Sequence, residues 1–318
     1  MAFISKKIIN GQERHYLEKS ARIRNEVKKF SIYLKNYIPN KKYLELEKYG
    51  KILEEKVKKA CINDAVQKYK TNNVFKREVL QQLEEIRFDY KGILKKLTKN
   101  QMKDMLDRFT INFTYESNAI EGNSLTLKDV TFIIHEGKVL GGKDLREVYE
   151  TLNTRKAIEW IFHKKLGISH SNIIKLHEIL VENTGVQKGY KKIPNFLLGR
   201  NVETTPPERV QEEMDNVIRW YHTSENLHPL QKAAIFHGKF ERIHPFEDGN
   251  GRVGRLLINI ILLSSGYPPL IIRKTQRVTY FHALEAYDHG HYDNLYRFLL
   301  EKYKDTYNKF FQVYIRYL

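Results

Sequence analysis

The 318 residues include 41% hydrophobic side chains, enough to build a core and too many for a globally disordered chain. A formal charge of +17, with 27 Lys and Arg against 14 Asp and Glu in the first 110 residues, makes a field that attracts polyanions. The lone Cys61 excludes an internal disulfide and a cysteine-rich zinc site, Met1–Lys7 has no apolar leader, and the longest apolar run (Leu256–Leu263) is too short to cross a bilayer. A cytoplasmic protein with no membrane partner is expected.

Taken in chain order, residues 2–20 read as a short β-hairpin around the two-residue turn Asn10-Gly11. Helical spacing follows over 42–72, where Leu44, Ile52, Leu53 and Val57 share a face, and over 75–111, where Leu80, Leu83, Ile86 and Phe88 crowd another. Lysine alternates with glutamate through this region as on a solvated helical surface. No nucleic-acid-binding signature accompanies the charge, so nucleic acid is not the expected partner. Residues 1–110 read as an N-terminal helical region with a short hairpin, and 111–318 as a second domain.

Further helices are expected near 126–136, 144–164, 170–182, 208–222, 229–243, 251–265, 276–288 and 292–316. In the last, Tyr296, Leu299, Leu300, Tyr303, Tyr307 and Phe310 form a core stripe. Glycines and prolines punctuate 184–206 around a β-like segment, Ile193–Leu198, the hairpin candidate of the second half. The fold class is mainly α with small β pieces. Gly137–Lys143 has the glycine and lysine spacing of a phosphate-cradling P-loop. Asp144, however, stands where a magnesium-binding Ser or Thr belongs, and it reads better as the N-cap of the next helix.

The chemistry concentrates in His244-Pro245-Phe246-Glu247-Asp248-Gly249-Asn250-Gly251-Arg252-Val253-Gly254-Arg255. An amphipathic helix delivers His244, a titratable base, to its end, and Pro245 stops that helix. Asp248-Gly249-Asn250-Gly251 makes a tight turn into the next helix, whose amides and dipole suit an anion. Arg252 and Arg255 are three residues apart on one face and present forks to phosphate oxygens. Asp248 is placed to hold magnesium against a polyphosphate. A base, a metal carboxylate, an amide nest and two arginines suit attack of a hydroxyl on phosphorus.

This segment resembles the full Fic-family signature, H-x-F-x-[D/E]-G-N-G-R-x-x-R, at every defined position. The likeness runs from about Ser117 to Tyr303 and includes Pro206-Pro207, Gly266-Tyr267-Pro268-Pro269, Arg277 and Tyr280. It implies a Fic-type helical bundle with a small β-hairpin flap, and a protein adenylyltransferase that moves AMP from ATP to a protein hydroxyl. By the same resemblance His244 is the general base, Asp248 binds Mg2+, Asn250 positions the α-phosphate with the Gly249–Gly251 amides, and Arg252 and Arg255 hold the β- and γ-phosphates. Gly251 stands where Fic-related kinases of the Doc type usually carry lysine, which favours AMP transfer over phosphorylation.

Ser117-Asn118-Ala119-Ile120-Glu121-Gly122 resembles the family's inhibitory motif of the class II type, on a helix expected near 113–122. Glu121 paired with Arg255 would take the guanidinium meant for the γ-phosphate. Phe281, Leu284 and Asp288 stand where relatives line the adenine pocket, although relatives often have Tyr and Asn at the first and last of these. The 185–206 flap is expected to clamp an unidentified target protein by strand addition. Self-modification and a homo-oligomer are compatible with the same reading. Two other functions remain open on sequence: removal of AMP by the same site with Glu121 orienting water, and nucleic-acid-binding regulation through the basic N-terminal third.

Overall fold

The computed structural model describes all residues except 1, 24, 36, 38–44, 140, 164–165, 196–202 and 317–318, and the side chains of 315–316. Two compact units emerge, one from Met1–Tyr69 with Arg77–Phe88 and the other from Lys70–Lys76 with Asp89–Leu318.

In the first unit, β1 (Phe3–Ile9), β2 (Gln12–Ile23) and β3 (Glu26–Tyr33) form an antiparallel sheet in the order β1-β2-β3. Asn10 and Gly11 both have positive φ, 51° and 74°, so the turn is the primed type that matches strand twist. It sets Ile9 opposite Gln12 and Phe3 opposite Glu18. β3 extends the expected hairpin to three strands, pairing Leu17 with Ile32 and Tyr16 with Tyr33. Helix α1 (Leu46–Gln67) contributes Leu53 to a core with Leu17 and Leu34, flanked by Phe30, Ile32 and Tyr49. Val57 is buried as expected, whereas Ile52 faces solvent; Leu44 lies outside the described residues.

The expected helix over 75–111 is two helices, α2 (Arg77–Lys96) and α3 (Lys99–Ile120). Leu97 turns extended, and Thr98 starts α3 with a capping box in which it and Gln101 exchange hydrogen bonds. Helix α3 runs unbroken through residue 110.

The second unit continues with α4 (Leu127–Thr131), α5 (Leu145–His163), α6 (His170–Leu180), α7 (Val210–Thr223), α8 (Pro229–Ile243), α9 (Asn250–Ser264), α10 (Arg277–Asp288) and α11 (Tyr292–Thr306). Six fall within their expected spans, while α7 runs one residue past its expected end and α9 starts one residue early. Asp144 caps α5, its carboxylate accepting the Arg146 N–H at 2.7 Å, while Lys143 donates to Asp129 at 2.9 Å. The glycine-lysine stretch before α5 is therefore a capped loop. Tyr296, Leu299, Leu300 and Tyr303 of α11 and Tyr307 just beyond are buried as a core stripe. Among the described residues, no helix is long and apolar enough to cross a membrane.

Helices α8 and α9 form the centre of this unit, and α9 is buried along nearly its whole length, Arg252 and Arg255 included. Their close approach needs glycine at 254, where a Cβ would collide with Glu241 Oε1 and lie 2.8 Å from His237 Cε1, both on buried side chains. Gly254→Ala should therefore lower stability by about 1–3 kcal/mol through overpacking. A denaturant titration with an unmoved midpoint would show that the helix pair tolerates the extra carbon.

Candidate functional site

Helix α8 ends at His244, which has left-handed backbone angles (φ 51°, ψ 60°), an uncommon conformation for a non-glycine residue. Its N–H still donates to Phe240 O at 2.9 Å, so the last α8 turn closes while the chain swings away into Pro245. Its ring Nδ1 stands 3.4 Å from Glu241 O. The next turn is pinned by Phe246, fully buried, whose ring stacks on His177 of α6 at 3.8 Å and 1°. Asn250 closes the loop from the other side: its Oδ1 accepts the Phe246 N–H at 2.9 Å and its Nδ2 donates to Phe246 O at 2.8 Å. The Asn250 side chain, expected at the α-phosphate, holds the turn through these two bonds.

His177 Nε2 donates to Asp248 O at 3.1 Å, and burial pushes its imidazole down to about 4. The Asp248 carbonyl opposes that shift and the charge of Arg252 adds to it. The folded value lies below the ordinary 6.5, so on acidification the unfolded chain takes the proton first. Stability from this group is complete above about 6.5 and is lost as pH falls toward about 4, by up to roughly 3 kcal/mol. His177→Gln should flatten that part of the stability–pH curve measured by thermal unfolding. A curve as steep as that of the parent would assign the acid sensitivity elsewhere.

Gly249, at φ 82°, aims the chain into α9, and its N–H meets Asp248 Oδ1 at 2.5 Å. Burial tends to raise the Asp248 carboxyl. Arg252, the Gly249 N–H and Arg146 outweigh that and hold it below the usual range, so the group is ionised. Arg252 is nearly enclosed, with Nη1 3.1 Å from Glu150 of α5 and Nη2 3.4 Å from Asp248.

Arg255 is fully buried and lies against the end of α3. Its Nε donates to Ser117 Oγ at 3.0 Å, its Nη2 to Ser117 O at 2.9 Å, and its Nη1 forms an ion pair with Glu121 Oε1 at 2.7 Å. Burial opposes the charge on Arg255, but Glu121 more than compensates and raises its pKa. The carboxylate lies against the first turn of α9, where a Cβ at Gly251 would collide with it. Arg277 donates to Ile120 O at 2.7 Å, Lys274 N donates to Glu116 at 2.7 Å, and Gly122 leaves the helix at φ 104°. The end of α3 is thus anchored while the Glu121 side chain, 35% exposed, keeps room to leave.

On α10, Leu284 is buried, Phe281 carries the Arg277 guanidinium 5.0 Å from its ring centre, and Asp288 is half-buried. The β-like segment expected at Ile193–Leu198 lies partly outside the described residues. Its described start and the residues before it are tied to the signature loop: Lys191 N donates to Pro245 O at 2.8 Å and Asn195 Nδ2 to Phe246 O at 2.8 Å. The buried Lys191 ammonium joins both sides, at 2.6 Å from Asn195 Oδ1 and 3.0 Å from Thr204 Oγ1. A cleft of about 680 Å3 opens beside these residues, lined in part by Thr204, Pro206, Arg242, Ile243 and Tyr287. Sequence reasoning missed Arg146, Glu150 and His177, which stand far from the signature and carry no local pattern.

Residues 167–262 match the model of the Fic/DOC family. They are a Fic domain. The chain is 32% identical over 186 residues to protein adenylyltransferase fic-1 of Caenorhabditis elegans, covering 56% of this chain and 36% of that protein. It is 33% identical over 205 residues to protein adenylyltransferase Fic of Nematostella vectensis, covering 62% and 48% respectively. It therefore spans less than half the length of these relatives. Among solved structures, a Fic-domain-containing signalling protein from Bacteroides thetaiotaomicron superposes with TM-score 0.64 at 26% identity, covering 70% of this chain and 92% of that one. A Fic family protein from Desulfovibrio desulfuricans gives 0.65 at 26% identity, covering 76% and 75%.

Proposed function

We propose that this Fic domain makes the chain a protein adenylyltransferase that transfers AMP from ATP to a hydroxyl of a target protein, and that Glu121 restrains it. The observation that carries this is the ion pair of Glu121 with Arg255 at 2.7 Å, in a site where His244, Asp248 and the α9 amides converge. The names of the adenylyltransferase relatives support the same reaction.

In this reaction His244 takes the proton of the target hydroxyl as its oxygen bonds to the α-phosphorus of ATP. The bond from that phosphorus to the bridging oxygen of the β-phosphate breaks, and pyrophosphate leaves. Arg252 and Arg255 neutralise the charge that develops on it, and the Gly249–Gly251 amides with the α9 N-terminus receive the phosphate oxygens. Asp248 fits a magnesium ion: it is ionised, presents hard oxygen ligands, and its side chain is 42% exposed. Among the described residues no three His, Cys, Asp or Glu cluster around a metal, so this carboxylate would share the ion with phosphate oxygens and water. Magnesium there would supply charge neutralisation of the polyphosphate.

Both arginines are occupied by carboxylates in the resting chain, so ATP enters a productive pose only after Glu121 yields Arg255. The cleft beside Ile243 and the flap flanks would receive the target segment. Incubation of Glu121→Gly with ATP and magnesium, followed by mass spectrometry, should find AMP on Ser, Thr or Tyr hydroxyls of target or self. Phosphate in place of AMP on the same residues would assign kinase chemistry.

A further inference from the structure

Asp248 is held between two arginines. Arg252 lies on one side, its guanidinium enclosed and fixed by Glu150 at 3.1 Å. On the other side is Arg146, two residues beyond the α5 cap, with Nη2 on Asp248 Oδ2 at 2.5 Å and Nε 3.4 Å from Glu150. Glu150 is nearly enclosed, and it also accepts from Asn123 Nδ2 at 3.0 Å, just past the inhibitory turn. The two arginines differ in freedom: 52% of the Arg146 side chain is exposed, against 4% for Arg252.

A cation that binds Asp248 therefore competes with the arginines already there. Arg252 cannot withdraw without breaking its nearly enclosed ion pair with Glu150, which is costly. Arg146 can swing into water at the cost of a half-exposed pair, which is small. We propose that Arg146 is a positioning residue of the nucleotide site, the counter-ion that aims Asp248 at the α9 turn and yields its Oδ2 oxygen when magnesium and nucleotide enter. Glu150 serves both arginines, steering Arg146 from the same helix face and fixing Arg252. The entry of metal is thereby coupled to α5, separately from the Glu121 contact on α3. This inference rests on the assignment of Asp248 as the magnesium carboxylate.

The test is binding of labelled ATP to the full chain by equilibrium dialysis, with magnesium titrated at fixed ATP and Glu121→Gly as the parent. Adding Arg146→Ala should lower the half-saturating magnesium concentration about two- to fivefold, the range of a half-exposed ion pair. Arg146→Lys, which keeps the charge without the fork, should fall between. A midpoint that is unchanged or raised overturns the proposal. So does an unmoved midpoint with ATP affinity at saturating magnesium reduced more than about tenfold, which would make Arg146 a phosphate ligand (1.4 kcal/mol per decade). Asp248→Ala in the same parent separates the two levels: if magnesium-dependent binding survives that change, the metal assignment itself fails.

Discussion

Glu121→Gly is expected to raise AMP labelling of target or self by about tenfold to a hundredfold. The contact removed is a charge-assisted one of about 1.5–3 kcal/mol, and each decade corresponds to about 1.4 kcal/mol. The 35% exposure of Glu121 places the effect toward the lower end of that range. Adding Arg255→Ala should cancel the gain, because Arg255 is both the partner of Glu121 and the proposed γ-phosphate ligand. That cancellation separates release of the guanidinium from simple loosening of α3, whose end Arg277 and Glu116 would still hold. A wild-type protein already as active as Glu121→Gly would make the ion pair an ordinary helix-end contact. Fast loss of AMP from a modified protein, dependent on Glu121, would move the function to the removal reaction.

Replacing the base should have the other large effect. In the Glu121→Gly background, His244→Ala should lower transfer by about 10²–10⁴-fold. ATP binding should persist, since the phosphates are assigned to α9 and its arginines. The left-handed backbone at 244 adds a complication, because alanine is strained there. His244→Asn tolerates that conformation better and should be equally inactive. Activity retained in the asparagine variant would take the proton-transfer role away from this residue.

The local geometry of the candidate nucleotide site was legible because its groups lie in one contiguous turn, His244–Arg255, where proline, glycine and a helix start fix the chain. Glu121 was legible only through resemblance, since a carboxylate near a helix end has many ordinary uses. Arg146 and Glu150 look, in sequence, like an i,i+4 surface pair on α5, and nothing in that spacing points toward Asp248, about a hundred residues away. His177 sits on the buried face of α6, where a histidine reads as core. The helices after 120 were readable from their period and caps. The break at Thr98 was missed because apolar spacing continues across it, although the Thr98-x-x-Gln101 capping box was there to be read. β3 was missed because consecutive lysines interrupt its alternation and no turn pair of the Asn-Gly kind precedes it.

The most direct test of AMP transfer uses ATP labelled at either the α- or the γ-phosphate, offered with magnesium to Glu121→Gly and to Glu121→Gly with His244→Asn. Stable protein labelling is expected from the α-position alone, and only when His244 is present. Labelling from the γ-position, or α-labelling that persists without His244, would contradict it.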